Sequence, residues 1–297
     1  MTGPESGFLL LTSHLGNPER KPLSMPQLRV LAQRVHGASH PESDRDLVPE
    51  DLIALGYGPG MAAHIVSLLE EHALLERYLR RGQQAGCVPI SRPDPRYPSV
   101  LRRRLGPDAP GCLWARGDLT LLQNPMLSLV GSRDLHRENT RFARDAGIQA
   151  ARQGYTLVSG NARGADRTAQ AACHGAGGQV ISVLADALSG HEPLPGMLYL
   201  SEDGFEEPFT AQRALSRNRI IHALGSATLV AQCSLKTGGT WDGTVKNLRF
   251  GWSPVCAFRD GSEAVSLLEQ MGARLIRREQ LSSLPDLFQA SQLKLEV

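Results

Sequence analysis

The sequence predicts an α/β fold: a Rossmann-like, doubly wound and mostly parallel sheet, preceded by a small helical domain of SAM-like or helix-hairpin-helix type. Three observations carry this. Short apolar runs rich in Val, Leu and Ile recur between residues 126 and 258, too short for helices and bounded by turn residues. Helix-length amphipathic stretches separate most of them, which is the pattern of βαβ units with right-handed crossovers. Gly-rich or polar segments follow several runs directly, where a parallel sheet places its ligand loops.

Residues 1–81 are expected to form an N-terminal arm and helical domain. Residues 1–25 mix Gly, Pro, Ser and charge and read as an irregular arm. From Pro26 to about Arg81, Leu28, Leu31 and Val35, then Leu52, Ile53 and Leu55, recur at helical spacing, interrupted by the polar stretch 40–46. Gly56-Tyr57-Gly58-Pro59-Gly60 between two apolar segments has the shape of a helix-hairpin-helix, which can offer backbone N–H groups to phosphate. A plain turn between packed helices has the same sequence. Residues 82–125 read as a Pro/Arg-rich connector entering the sheet, with turn chemistry at Asp94-Pro95-Arg96-Tyr97-Pro98 and a basic run at Arg102-Arg103-Arg104.

Residues 126–297 are expected to be the sheet domain. Strands are predicted over 127–130, 155–158, 180–184, 197–200, 227–231 and 255–258, and helices over 138–153, 167–176, 211–224 and 241–250. Beyond about residue 280 only a short helix fits.

Composition narrows the function classes. With 297 residues, 41% hydrophobic and 21% charged, the chain can bury one large core or two modest ones, and a mainly disordered or coiled-coil protein is excluded. A net charge of +2 forecasts no partner by itself. All but four of the 32 basic residues are arginines, which suits phosphate and base recognition, although codon usage in a GC-rich genome is the expected origin. Five separated cysteines without a Cys-x-x-Cys pair favour neither a disulfide scaffold nor a zinc module, so no metal or cofactor is expected. Phe8-Leu9-Leu10-Leu11 is too short to span a membrane and lacks a basic leader, so the expected location is the cytoplasm.

The candidate site residues lie where the strands end. They are Gly131, Ser132 and Arg133; Ser159, Gly160, Arg163 and Gly164; and Lys236, Thr237, Gly238, Gly239 and Thr240. Arg217, Asn218 and Arg219 sit on a predicted helix, the two arginines at i and i+2 and therefore on different sides. Glycine admits close backbone approach, a following helix offers free N–H groups, and Arg or Lys supplies charge, so phosphate is the expected occupant. Neither a Walker A sequence nor Gly-x-Gly-x-x-Gly is present. Phe209 and Trp241 are the best stacking candidates, but a core or rim role is the expected one for both.

The order of these blocks resembles the DNA-processing protein DprA (Smf) family. The resemblance rests on Val130-Gly131-Ser132-Arg133, Ser159-Gly160-x-Ala162-Arg163-Gly164-x-Asp166, Ile181 to Leu184, Ser201-Glu202, Arg217-Asn218-Arg219-Ile220-Ile221 and Thr237-Gly238-Gly239-Thr240, with Asp94 to Pro98 before them. It implies single-stranded DNA bound in a basic pocket, loading of the recombinase RecA during transformation, and a homodimer, with no enzymatic step. The sequence departs from the family's pattern at Gln170, where a His is usual, across 186–195 and at Trp241; the C-terminal winged-helix domain of many members is expected to be missing. Two other readings stay open. One is a LOG-type nucleoside-monophosphate phosphoribohydrolase, for which Asp166 or Asp242 would have to supply the carboxylate. The other is a nucleotide-sensing binding module.

Overall fold

The computed structural model describes residues 3–37, 46–202 and 204–292. The predicted break at 40–46 lies almost wholly outside them. Five helices come first: α1 (Gly3–Thr12), α2 (Met25–His36), α3 (Pro49–Ala54), α4 (Pro59–Glu70) and α5 (His72–Gln84). The apolar faces of α2, α3 and α4 meet, with Leu23, in a small core of Leu31, Leu52, Ala62, Ile65, Val66 and Leu68, whereas Leu9 and Leu10 of α1 and Leu75 and Tyr78 of α5 join the core against the sheet. Residues 3–12 are helical, not an irregular arm: Leu9 and Leu10 are buried, and that burial outweighs a composition that disfavours helix.

The stretch read as a connector builds β1 (Val88–Ser91), α6 (Ser99–Leu105) and β2 (Cys112–Gly117). Then follow β3 (Met126–Val130), α7 (Arg137–Arg152), β4 (Thr156–Ser159), α8 (Ala165–Gly175), β5 (Val180–Val183) and β6 (Met197–Ser201). The chain continues through α9 (Ala211–Ser216), α10 (Asn218–Leu224), β7 (Thr228–Val230), α11 (Gly238–Phe250), β8 (Val255–Phe258), α12 (Glu263–Gln270), β9 (Arg274–Ile276) and α13 (Leu284–Gln292).

The nine strands form one sheet in the order β1-β2-β6-β5-β4-β3-β7-β8-β9. All pairings are parallel except those of β2 with β1 and β6. The central strands β3, β4 and β5 are buried along their whole length, which is why they read as continuous apolar runs. Separate apolar clusters cover the sheet's two faces. An aromatic trio of Tyr78, Trp114 and Phe205, with ring centroids 4.8–5.1 Å apart, ties α5 to β2 and the segment after β6.

Two features of this architecture position the site. From β3 the chain moves to β4 on one side and later returns to β7 on the other, so the strand order reverses at β3 and leaves a crevice outside its carboxyl end. The helix predicted over 211–224 is interrupted at Arg217, where a tighter i→i+3 bond runs from Ile220 N–H to Arg217 O at 3.0 Å.

Candidate functional site

The crevice at the reversal point opens into a cavity of about 520 Å³ lined by residues 131–134 after β3, by Thr237 to Thr240 at the start of α11, and by Phe209, Arg217 and Asn218. A neighbouring cavity of about 350 Å³ is lined by Gly160, Arg163 and Arg167 on the loop after β4 and start of α8, and by Asp186 after β5. Arg133, Ala162, Phe209, Ala214 and Arg217 border both cavities.

The structure therefore brings together most of the residues singled out from sequence. Gly131, Ser132, Arg133, Arg217, Asn218, Thr237, Gly238, Gly239 and Thr240 line the first cavity, and Gly160 and Arg163 the second. Four do not line either. Ser159 is fully buried beneath its loop. Gly164 joins the loops: its φ is +87°, and a Cβ there would come within 2.4 Å of the carbonyl oxygens of Ser132 and Arg133. Lys236 stands exposed in a left-handed turn between Ser234 and Thr237. Arg219 points away from the crevice; it forms an ion pair with Glu202 and donates to Ser216 O at 2.8 Å and Asp108 O at 3.2 Å. The i, i+2 spacing sends one arginine in and the other out, and Glu202 fixes which.

Arg217 is the central group. The residue is 8% exposed; its guanidinium donates to Gly160 O at 3.1 Å, while its Nε has no partner among the described residues. Gly160 must lack a side chain here, because a Cβ would fall 1.8 Å from Arg217 Nη1. Asp166 is the buried counter-ion, its Oδ2 accepting from the backbone N–H of Gly160 at 3.1 Å and Ala162 at 3.2 Å. Burial pushes the Asp166 carboxyl upward against the opposing pull of Arg217 and these hydrogen bonds, and burial likewise lowers Arg217. Asp166 thus holds its own loop, and its charge lies close enough to act on Arg217.

The outer cations are more available. Arg163 pairs with Asp134 at 2.7 Å, but the two side chains are 71% and 85% exposed, so the pair is weak and exchangeable. Arg133 is exposed. The first turn of the 13-residue α11 faces the first cavity, and Thr237 makes no side-chain cap, so the orphan N–H groups remain for an anion. Phe209 is 56% exposed between the cavities, a position that suits stacking rather than the core. No cluster of His, Cys, Asp or Glu suited to a metal occurs among the described residues.

Several lining residues, among them Asp134, Ser234 and His222, were not singled out from sequence. His222 lies one helical turn after Asn218 on the same face, and that i+4 relation was the available signal. Its ring is fully buried, and burial together with nearby Arg217 pushes it down from 6.5 to about 3, so it is neutral. The unfolded chain takes up a proton below 6.5 that the native state refuses, so this group makes stability fall as pH falls towards 3. Relative to His222→Phe, the wild type is expected to lose about 1.4 kcal/mol of unfolding free energy per pH unit between about pH 6 and 4. Urea unfolding at several pH values checks this; a pH-independent difference would contradict a buried neutral ring.

The model of the family described as DNA recombination-mediator protein A matches residues 89–279. DNA processing protein DprA of Streptococcus pneumoniae (strain ATCC BAA-255 / R6) is 30% identical over 182 residues, which cover 57% of this chain and 64% of that protein. The chain covers less than two thirds of the length of the curated relatives it matches. The X-ray structure of DprA from Streptococcus pneumoniae superposes with a TM-score of 0.70 and 25% identity, over 93% of this chain and 95% of that one. The DNA processing protein A of Helicobacter pylori, solved for its single-stranded DNA binding mode, shares the fold at a TM-score of 0.56 and 20% identity, covering 70% of this chain and 96% of its own.

Proposed function

The chain belongs to the DNA recombination-mediator protein A family, the DprA/Smf proteins, and from that footing we propose that it binds single-stranded DNA along the crevice at the β3 reversal point. The observation that carries this reading is Arg217, a buried arginine bordering two adjoining cavities, with Arg133 beside it and Arg163 on the outer rim. Spaced cations and uncapped helix N–H groups suit consecutive phosphates of one flexible strand. Phosphate contacts carry no base information, so sequence preference is slight. The reading includes a cytoplasmic, non-enzymatic DNA-processing role in transformation, with RecA as the recipient of the bound strand and a homodimer as the working form. No helix among the described residues is long and apolar enough to cross a membrane.

Fluorescence anisotropy with a single-stranded oligonucleotide and its duplex tests the reading. Tighter binding of the single strand is expected, together with no free base after incubation with nucleoside monophosphates. Tighter binding of the duplex overturns it, and released base would establish the phosphoribohydrolase instead.

A further inference from the structure

The basic run Arg102-Arg103-Arg104 takes no part in the crevice, and its side chains diverge. Arg102 lies over the Tyr97 ring, 5.9 Å from its centroid. Arg103 and Arg104, in the last turn of α6, line a separate cavity of about 240 Å³. Its other walls include Met126, where β3 begins, and Leu224 and Ser226 ahead of β7. The cavity therefore sits at the amino ends of these strands, whereas the crevice lies at their carboxyl ends. Helix α10 runs between the two, from Asn218 beside the crevice to Leu224 here.

Arg104 is half-buried and held in place. Its Nη1 donates to Ala223 O at 2.9 Å and to Gly225 O, at the end of α10. Its Nε and Nη2 make no hydrogen bond among the described residues, and the exposed Arg103 side chain makes none at all among them. No Asp or Glu lines the cavity. Burial together with the neighbouring charge of Arg103 brings Arg104 down to about 10, so it stays charged at neutral pH. Two like charges that share a partly dry cavity without a carboxylate favour an anion, and guanidinium N–H groups match phosphate oxygens. The Ser99 and Ser226 hydroxyls border the same space and can donate to it.

We propose that Arg103 and Arg104 form a second anion site, which takes one phosphate or pyrophosphate group at the end of the sheet opposite the crevice. The volume is below the roughly 300 Å³ at which small-molecule pockets begin, so it suits a phosphate group rather than a whole nucleotide. A free inorganic anion and a phosphodiester farther along a bound strand offer the same chemistry. The second source rests on the reading that the crevice holds single-stranded DNA; the first does not.

The test titrates pyrophosphate into the full chain by calorimetry, with a short single-stranded oligonucleotide saturating the crevice. Arg103→Glu sets a carboxylate beside Arg104 without touching the end of α10, and Ser226→Asp does so from the opposite wall. Both positions are exposed, so the fold is retained. Each variant is expected to bind pyrophosphate roughly tenfold more weakly than the wild type, the worth of one charge-assisted hydrogen bond. Affinity for the short oligonucleotide should not change. A long oligonucleotide separates the sources: weaker binding by both variants, with a salt slope shallower by about 0.7, identifies the strand, and unchanged binding identifies the free anion. Wild-type affinity for both pyrophosphate and the long strand in both variants overturns the inference. An equal loss on the short strand also overturns it, because that is a general charge effect. If the wild type binds no oligonucleotide, the DNA reading fails by itself, and the pyrophosphate comparison repeated in an Arg217→Met background still decides the anion site.

Discussion

Arg217→Met is expected to weaken binding of single-stranded DNA by about a hundredfold at low salt. The substitution removes a buried charge whose guanidinium is hydrogen-bonded to Gly160 O, and such losses at interfaces cost roughly 2–5 kcal/mol. Two effects combine. The ligand loses a cation that borders both cavities, and the buried Asp166 loses the nearby positive charge of Arg217, keeping the N–H groups of Gly160 and Ala162 and the Ser159 side chain. Arg217→Lys separates them, because it keeps charge but not the planar fork that reaches Gly160 O. It is expected to fall between wild type and Arg217→Met. Affinity unchanged in Arg217→Met, with a native circular dichroism spectrum, would remove Arg217 from the interface.

Gly147→Ala is expected to cost about 3 kcal/mol of stability. Gly147 on α7 packs directly on the backbone of α8: a Cβ there would stand 2.2 Å from Ala169 O and 3.0 Å from Cys173 N. The obstructing atoms are backbone, so relief requires the two helices to separate, and overpacking of that kind usually costs 1–3 kcal/mol or more. The helix propensity gained, about 1 kcal/mol, offsets only part. Because α7 follows the Gly131–Arg133 loop and α8 follows the loop after β4, the separation also shifts the site. Denaturant unfolding reads the first effect and DNA titration the second. An unchanged midpoint would show that the interface between α7 and α8 has slack.

The parallel core was legible in the sequence because its strands are buried throughout and therefore read as unbroken apolar runs. The elements missed are those whose sequence does not show their burial. β1 carries Pro89, β2 ends in Arg116 and Gly117, and β9 is three residues long, so these flanking strands have no clean pattern. α1 is held by tertiary burial of Leu9 and Leu10 against local composition. At the site, the Gly-rich loops were legible because topology dictates where loops gather. The division of labour within them was not. Gly164 and Ser159 resemble ligand contacts in sequence but serve loop packing, and only the position of Glu202 shows that Arg219 is held outside while Arg217 enters. The buried polar cluster of His222 was hidden because its partner Asn247 and the Ser253 that orients Asn247 are both remote from it in sequence.

Arginines at the β3 crevice are proposed to neutralise consecutive phosphates of a single strand. The most direct measurement is the salt dependence of single-stranded DNA affinity. With Arg133, Arg163 and Arg217 each engaging a phosphate, the log–log slope is predicted to be about −2, from roughly −0.7 per phosphate on a single strand. An affinity that does not change with salt would contradict it.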